Sequence, residues 1–493
     1  MLQKTPIITN PQEFKKELGL LDSTLLVIGS MIGSGIFIVS ADIARTVGSG
    51  GWLLLVWLIT GIITVAAALS YGELAAMMPN AGGQYVYLKE AWNPLLGFLY
   101  GWTLFLVIQT GTIAAVAVAF AKFTGILFPI FLEKNIIWSY LKYKVSAAQI
   151  LAIVSIWVLT IINLKGIKFG KIVQNIFTTT KTTALFLLII LGLLLGAGSY
   201  AYHINLKDFW TPTWTHIEGD NIVSVQTLTG FGIIAAVGVA MVGSVFSADA
   251  WNNVTFTAAE IKNPKKNIPK SLFLGTTIVT ILYLLANVSY IFVLPVKGNP
   301  TGATAFERGI QFALNDRVGA AAVSVFLGET AAIVMAVLIM ISTFGCNNGL
   351  ILSGARVTYA MSRDELFFKK MSYLNNNAVP GNALILQAIW ASVLCLSGTY
   401  SDLLDYVVFA VMIFYILTIL GLFRLRFTKP DIPRPYKAFG YPILPALYIL
   451  VALVFAVILL IYKPQYTYPG VVIVLIGIPV FYIWQWREKQ NKK

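Results

Sequence analysis

The feature of this sequence that most limits its fold is a series of long apolar runs repeated along the whole chain. A helix needs about 20 apolar residues to cross the hydrocarbon core of a bilayer. Backbone groups inside a bilayer must find partners within the protein, so such runs fold as helices. The sequence therefore predicts an all-α integral membrane protein with twelve transmembrane helices, at 20–47, 51–79, 93–121, 147–164, 172–198, 226–258, 271–295, 321–355, 383–398, 403–423, 440–462 and 469–486.

Composition agrees with lipid as the solvent for much of the chain. Hydrophobic residues make up 58% of the sequence and charged residues 11%, whereas a soluble domain carries about 25% charged residues. The formal net charge is +14, but no polar segment is long enough to form a nucleic-acid-binding domain. We therefore expect contact with a lipid bilayer and no nucleic-acid partner.

Lys and Arg are distributed unevenly between the predicted loops. With the N-terminus placed inside, the inside loops contain 24 of the 35 Lys and Arg residues and the outside loops contain 10. This bias follows the positive-inside rule. The sequence thus predicts a multi-pass protein of the cell (plasma) membrane with both termini cytoplasmic.

The remaining basic residue, Lys181, lies within the fifth predicted span, in the stretch TTTKTTALFLLII. A charge inside a membrane costs several kcal/mol, so Lys181 should face the interior of the bundle and have partners there. It could be a structural lysine that ties helices together. It could equally stand at an ion or proton site, and the two roles do not exclude each other.

Two predicted spans contain residues that interrupt a helix. In the first, LLVIGSMIGSGIFIVS, Gly29, Gly33 and Gly35 alternate with serines. Each glycine weakens a helix by about 1 kcal/mol relative to alanine, although a GxxxG pair alone also serves helix packing. In the sixth, GVAMVGSVFSADAWNNVTF, an acid and two amides are too polar to face lipid. Interrupted helices at matching places in two halves predict a transporter built on an inverted repeat of five helices.

The chemistry of the first break suits a zwitterion. Backbone N–H groups at Gly33, Ser34 and Gly35 would lie at the N-terminus of a half-helix, where the dipole favours a carboxylate. Carbonyls freed on the other half-helix can accept hydrogen bonds from an ammonium group. These features predict transport of an amino acid.

The predicted repeats divide the chain into six regions. These are a cytoplasmic N-terminal segment at 1–19, a first five-helix repeat at 20–198, an extracellular loop at 199–225, a second five-helix repeat at 226–425, helices 11 and 12 at 426–486, and a cytoplasmic tail at 487–493.

The chain also resembles the amino acid–polyamine–organocation (APC) transporters, and within them the L-type amino acid transporter group. The stretches that carry the resemblance are IGSMIGSGIF at 28–37, YGELAAMMPNAGGQYVYLKEAWNPLLGFLYGW at 71–102, FTTTKTTALFLLII at 177–190, FSADAWNNVTFTAAEIKNPKKNIPKSL at 246–272 and STFGCNNGLILSGARVTYAMSRD at 342–364. The resemblance implies a LeuT-type fold, which has a 5+5 inverted repeat plus two helices, with discontinuous helices 1 and 6. It also implies alternating access.

The resemblance implies a substrate site built largely from backbone. The amides of Ser34 and Gly35 would hold the substrate carboxylate, and carbonyls of Met31, Phe246 and Asp249 its amino group. Phe246 matches the aromatic gate of the family, although core packing is the simpler role for one phenylalanine. The full set of predicted substrate-binding residues is Met31, Ile32, Gly33, Ser34, Gly35, Phe246, Ser247, Ala248 and Asp249.

Lys181 matches a fifth-helix lysine of sodium-independent members of the family. The resemblance places it near Gly29 and near Ser342 or Thr343, and implies sodium-independent transport. Asp249 departs from the small or amidic residue of many relatives. It could be a neutral hydrogen-bonded acid, a partner for Lys181 or a contact for a cationic substrate. Ala248 replaces an aromatic residue, so the pocket is expected to differ.

Three other charges have simpler expected roles. Glu73 follows the second predicted span, where a salt bridge with an inside lysine is expected. Arg356 and Arg363 lie at the inner end of the eighth span and are expected to anchor the topology, with Asp364, Glu365 or loop acids as partners in one access state.

Several functions remain open from the sequence. The first is a sodium-independent amino acid exchanger or uniporter that favours neutral L-amino acids. The alternatives are a proton-coupled symporter for cationic or acidic substrates, motivated by Asp249 and Lys181, and a nutrient sensor that binds without transporting. With both histidines in one loop, at 203 and 216, no enzyme, metal site or cofactor is expected. Loop 122–146 contains no cysteine, so no disulfide-linked glycoprotein subunit is expected.

Overall fold

A computed structural model describes residues 13–140, 143–219, 221–397 and 400–491 of the chain. Most of the predicted N-terminal segment 1–19 and the last two residues of the predicted tail lie outside these ranges. The described residues form helices α1 to α19, with bounds Leu20–Met31, Ser40–Val47, Gly50–Met77, Gln84–Ala91, Pro94–Thr103, Gln109–Leu127, Ala147–Leu164, Ile167–Gly196, Tyr200–Lys207, Phe231–Ser247, Asn253–Phe256, Pro264–Val293, Ala305–Arg308, Val318–Leu327, Ala331–Arg363, Gly381–Ser397, Tyr400–Thr428, Ile443–Tyr462 and Pro464–Asn491.

Nine helical stretches of the described chain are long and apolar enough to cross a membrane. They are Gly50–Met77, Pro94–Leu127, Ala147–Leu164, Ile167–Gly196, Pro264–Val293, Ala331–Arg363, Val408–Thr428, Ile443–Tyr462 and Thr467–Gln490. The other three predicted spans coincide with α1 and α2, with α10 and α11, and with α16. Each of these helices is shorter than 18 residues. A mostly helical membrane protein is thus confirmed, while the count of twelve crossings and the repeat stay predictions.

Several helix boundaries differ from the predicted ones. The fifth span begins earlier, at Ile167, because the polar residues before 172 continue the same helix. The eighth apolar run is divided at Gly328, whose φ of +56° ends α14 before α15 begins. The predicted tail at 487–493 begins inside α19, so the chain stays helical to Asn491.

Two β-hairpins, which the all-α prediction missed, lie at one end of the bundle. Strands β1 (Ile136–Tyr140) and β2 (Tyr143–Ser146) pair antiparallel, as do β3 (Thr213–Glu218) and β4 (Asn221–Thr227). The second hairpin touches the end of α2, where a Cβ on Gly48 would lie 1.9 Å from Thr213 Oγ1. We call this the hairpin end.

At the opposite end, the first described residues pair with the segment that follows α11. The N–H groups of Glu17 and Leu18 both lie 3.0 Å from Glu260 O, and the Lys262 N–H donates to Leu18 O at 2.8 Å. Leu18 and Ile261 form a short parallel bridge. We call this the terminal end.

Buried charges brace the terminal end. The partners of Glu73 differ from the lysine expected, whereas Arg356 pairs with a loop acid, one of its expected partners. Glu73 is fully buried and lies 2.6 Å from Arg426 and 3.3 Å from Arg434, rather than beside a lysine at the interface. Arg356 is also buried. Its Nε and Nη2 donate to the two carboxylate oxygens of Glu260, at 2.9 and 2.8 Å.

Asp364, another acid proposed as a partner of Arg356, instead accepts hydrogen bonds from Lys89 and Tyr85 at 2.8 Å each. Arg356 is therefore part of the buried core and not a surface anchor.

Candidate functional site

The first break separates α1 from α2. Helix α1 ends at Met31, and the Ile32 N–H closes its last turn by donating to Ile28 O at 2.9 Å. Regular bonding resumes where the Phe37 N–H donates to Ser34 O at 3.0 Å, in a 3-10 turn over Gly35–Phe37. Because the backbone between them is not helical, its carbonyls and N–H groups need partners outside a single helix.

Lys181 supplies hydrogen bonds to part of this backbone. From α8, its Nζ donates to Gly29 O at 2.7 Å, to Ser342 O at 3.2 Å and to Ile32 O. The side chain is 3% exposed. An ammonium has three N–H donors, and each meets a carbonyl here. Gly29 and Ile32 also lie at the C-terminus of α1, where the helix dipole stabilises a positive charge.

Other side chains lie within hydrogen-bond distance of the neighbouring carbonyls in the first break. Cys346 Sγ lies 3.1 Å from Ser30 O. The Tyr283 hydroxyl lies 3.1 Å from Met31 O. The Ser342 hydroxyl lies 2.8 Å from Gly33 O. The carbonyls from Gly29 to Gly33 are therefore each held by a side chain from α8, α12 or α15.

Close packing also shapes the first break. A Cβ on Gly29 would lie 2.0 Å from Gln174 Nε2 and 2.1 Å from Thr178 Oγ1, so α1 and α8 touch at that glycine. A Cβ on Gly33, in contrast, would meet only Cys346 Sγ, at 3.6 Å. Gly33 is thus open to a ligand where Gly29 is not.

The second break follows α10. The last turn closes where the Ala248 N–H donates to Ser244 O at 2.9 Å, and the Asp249 N–H lies 3.2 Å from Phe246 O. Ala250 has a φ of +64°, which is unusual for a residue with a Cβ and turns the chain away from the helix. Helix α11 then begins at Asn253.

The two breaks touch each other. The Tyr283 hydroxyl lies 3.1 Å from Ser247 O as well as from Met31 O, so one side chain of α12 joins the ends of α1 and α10. A Cβ on Gly35 would lie 2.1 Å from Ser247 Oγ. The structure therefore brings together the residues predicted at 31–35 and at 246–249.

Asp249 points toward aromatic side chains and not toward Lys181. Its Oδ1 accepts a hydrogen bond of 2.5 Å from Tyr415. Two small cavities of about 20 Å³ each lie beside Asp249. One is lined by polar side chains that include Gln84, Gln109 and Asn252, and the other by Trp251, Met412 and Tyr448 among others. A volume of this size holds about one water molecule, so an amino acid would enter only after side chains move.

The predicted substrate-binding residues lie at these breaks. Ser342 and Thr343 were the alternatives expected beside Lys181, and the Thr343 hydroxyl donates within its own helix, to Ile339 O at 2.7 Å. Ser342 makes the predicted contact through its carbonyl. Phe246 is half-buried beside the core, and Ala248 lines the cavity at Trp251.

Sequence reasoning missed Tyr283, Tyr415 and Cys346 at this site. Nothing in their local sequence marks them, since tyrosine and cysteine are ordinary residues in apolar helices. A possible signal exists in the third span, where Leu104–Ile108 forms a π-helical turn and two of its residues line the polar cavity. Such turns are frequent at functional sites.

Comparisons with known proteins extend over the whole site. Residues 18–483 match a model of the family described as amino acid permease. A b(0,+)-type amino acid transporter 1 from Mus musculus is 29% identical over 469 residues, covering 95% of this chain and 87% of the relative. The Large neutral amino acids transporter small subunit 2 from Homo sapiens is 31% identical over 486 residues, covering 96% and 82%.

Proposed function

This chain belongs to the amino acid permease family, and from that premise we propose that it is a sodium-independent amino acid transporter. It works by alternating access, as an exchanger or uniporter, and favours neutral L-amino acids. The family and the names of both relatives support amino acid transport. They agree with the resemblance to L-type APC transporters found in the sequence. The observation that carries the finer proposal is the position of Lys181.

The contacts of Lys181 support the proposal of sodium independence. A sodium site would need several oxygen ligands gathered around one point. Here the carbonyls of Gly29, Ile32 and Ser342 converge on an ammonium. A fixed positive charge at this point repels a second cation, and it already neutralises the partial negative charge at the end of α1.

Substrate recognition uses the backbone of the two breaks. The carboxylate binds at the N–H groups of Gly33, Ser34 and Gly35, since Gly33 leaves room for it. The amino group binds at carbonyls of Met31, Phe246 and Asp249. Met31 O lies within hydrogen-bond distance of the Tyr283 hydroxyl, and Phe246 O accepts from the N–H groups of Ala248 and Asp249. A carbonyl oxygen has two lone pairs, so Met31 O can accept a further hydrogen bond from the amino group.

Proteoliposomes test this proposal. Uptake of a radiolabelled neutral L-amino acid should proceed without sodium, should be accelerated by internal amino acid in an exchanger, and should be unchanged by a sodium gradient. A uniporter would instead equilibrate the label without internal substrate. Sodium-dependent accumulation would refute the proposal.

A proton-coupled symporter is a second candidate, favoured by the half-buried carboxyl of Asp249. The Asp249 carboxyl accepts a hydrogen bond from the Tyr415 hydroxyl and is not paired with a cation. This carboxyl could therefore exchange a proton during transport, or contact a cationic or acidic substrate. Uptake driven by a pH gradient and insensitive to internal amino acid would favour this candidate. A protein that binds amino acids but moves none would be a sensor.

The placement of the chain in the cell is part of the same proposal. We place it in the plasma membrane with both termini cytoplasmic, so that the hairpin end faces outside. The two repeats at 20–198 and 226–425 supply one break each. Accessibility of single cysteines introduced in the hairpins, measured from each side of intact cells, tests this orientation.

The relatives bear on the question of a partner subunit. The name of the human relative calls that protein a small subunit, so the relative is part of a larger assembly. This name counts against the expectation that the present chain has no disulfide-linked partner subunit. Both cysteines of the present chain, Cys346 and Cys395, are buried. A partner would therefore have to bind this chain without a disulfide at an exposed cysteine.

A further inference from the structure

A large recess opens at the hairpin end, close to the first break. It has a volume of about 540 Å³, and Ile38 forms part of its wall together with Phe123, Leu132 and Lys134. Ile38 directly follows the Gly35–Phe37 turn, so the recess lies near the backbone proposed to hold the substrate carboxylate. Its size exceeds that of the cavities beside Asp249, and it can admit an amino acid.

The wall of this recess carries an arginine without an acidic partner. Arg317 is half-buried, and its guanidinium carbon lies 5.0 Å from the centroid of the Phe123 ring. Within the described part of the chain no carboxylate lies within 4.0 Å of Arg317. Stacking on the ring holds the planar group in place and leaves its N–H donors at the edge.

The nearby acids are already paired with other cations. Asp316, the residue before Arg317, lies 2.6 Å from Arg45. Glu133, which also lines the recess, lies 3.1 Å from Lys122. Lys134 adds a further positive charge to the wall. The recess therefore carries a net positive charge.

We propose that this recess is an entry site for the α-carboxylate of the amino acid substrate, with Arg317 as its main binding group. The inference rests on the proposed function, since it assigns an outer waiting position to the same substrate. Arg317 attracts the carboxylate and orients the zwitterion before it moves to the first break. A recess lined by one sign of charge raises the local concentration of an oppositely charged group, and this effect weakens with salt.

The test compares Arg317→Gln with Arg317→Lys in vesicles of both orientations. For entry from the hairpin end, Arg317→Gln should raise KM about three- to tenfold at low ionic strength, because it removes a charge-assisted hydrogen bond to the substrate carboxylate. Vmax, and KM for entry from the terminal end, should be unchanged. Arg317→Lys should restore most of the wild-type KM. Lys207→Gln is the matched control, since it removes one exposed positive charge outside the recess.

Ionic strength separates electrostatic capture from a structural role. Between about 10 mM and about 150 mM N-methyl-D-glucamine chloride, the Debye length falls from about 30 Å to about 8 Å. The difference between wild type and Arg317→Gln should shrink over this range. A difference that is the same at both salt concentrations, or a KM that does not change, would overturn the entry site.

A second variant and a control on function complete the experiment. If Arg317→Gln does not fold, Lys134→Gln should show the same salt-dependent rise in KM, and no rise in it would refute the proposal. Wild-type protein that moves no amino acid would refute the proposed function itself. Wild-type protein that transports normally while every recess variant keeps its KM would refute only the entry site.

Discussion

At the scale of single residues, this protein stabilises an interrupted helix by surrounding its freed carbonyls with side chains. Lys181, Cys346, Tyr283 and Ser342 hold the carbonyls from Gly29 to Gly33. A buried polar group without a partner costs about 1–3 kcal/mol, so each of these contacts matters for stability as well as for the shape of the site. None of these side chains is local in sequence to α1.

Lys181→Ala should abolish transport. The substitution removes the positive charge and leaves three carbonyls without their donor, so uptake in proteoliposomes should fall to background. The fold should persist with a lower midpoint of thermal unfolding. Lys168→Ala, on an exposed position of the same helix, is the control and should behave as wild type. A purified Lys181→Ala variant with normal uptake would show that the lysine is dispensable.

Tyr283→Phe should loosen the junction of the two breaks. It removes only the hydroxyl that bridges Met31 O and Ser247 O, which should reduce stability by about 1 kcal/mol and lower the affinity for substrate. Tyr468→Phe, at an exposed tyrosine, serves as the control. Thermal unfolding with and without amino acid measures both effects, and an unchanged ligand-induced shift would contradict the assignment.

At the scale of elements, the helix breaks fit together through small residues. Gly35 touches Ser247, and the Thr60 and Ser244 hydroxyls lie 2.7 Å apart between α3 and α10. Close contact of this kind is typical of helices that associate in membranes. It also means that glycines in one break have different roles, although the sequence presents them as one run.

Gly33→Ala and Gly35→Ala should separate substrate binding from packing. The added Cβ at Gly33 meets only Cys346 Sγ at 3.6 Å, so the variant should fold normally. It should bind amino acid more weakly, because the methyl group stands where the carboxylate approaches. At Gly35 the Cβ would lie 2.1 Å from Ser247 Oγ, so that variant should lose thermal stability.

A larger side chain at Gly35 would not distinguish substrate binding from helix packing. Gly35→Val would disturb α10 whether or not a carboxylate binds nearby. Thermal unfolding and equilibrium binding, measured on both alanine variants, distinguish a loss of substrate affinity from a loss of stability. If a well-folded Gly33→Ala variant bound amino acid with wild-type affinity, the substrate carboxylate would not bind at Gly33.

At the scale of the whole molecule, the two ends of the bundle differ. The terminal end is closed by the buried pair Glu260–Arg356 and by backbone pairing of Leu18 with Ile261. The hairpin end contains the open recess at Arg317. The proposed alternating access requires the contacts of the terminal end to separate when the site opens on that side.

Glu260→Gln should open the terminal end more often. Removing one partner of a buried ion pair costs about 3–5 kcal/mol, because the other charge stays buried and unpaired. In a Cys395→Ser background, Cys346 is the remaining cysteine. Its reaction with a maleimide added from the terminal end should accelerate in the variant.

Glu90→Gln provides the matched control for this gate. Glu90 pairs with Lys429 at 3.0 Å, and both side chains are 40% exposed, so the pair contributes little. In Glu90→Gln, maleimide should label Cys346 at the wild-type rate. Equal labelling rates in Glu260→Gln and Glu90→Gln would show that the buried pair does not control access.

The amino-acid sequence by itself determined the apolar spans, the breaks in the first and sixth of them and the isolation of Lys181. These are local properties, because span length, glycine content and a charge in an apolar run can be read from neighbouring residues. The resemblance in the motifs also indicated the family. The sequence analysis did not identify the β-hairpins, whose strands are short and lie in the loops between predicted spans.

Only the tertiary structure decided which groups meet. Arg356 pairs with Glu260, Glu73 pairs with Arg426, and Asp249 accepts from Tyr415. Each pair is far apart in the chain, so helix packing selects it and local pattern does not.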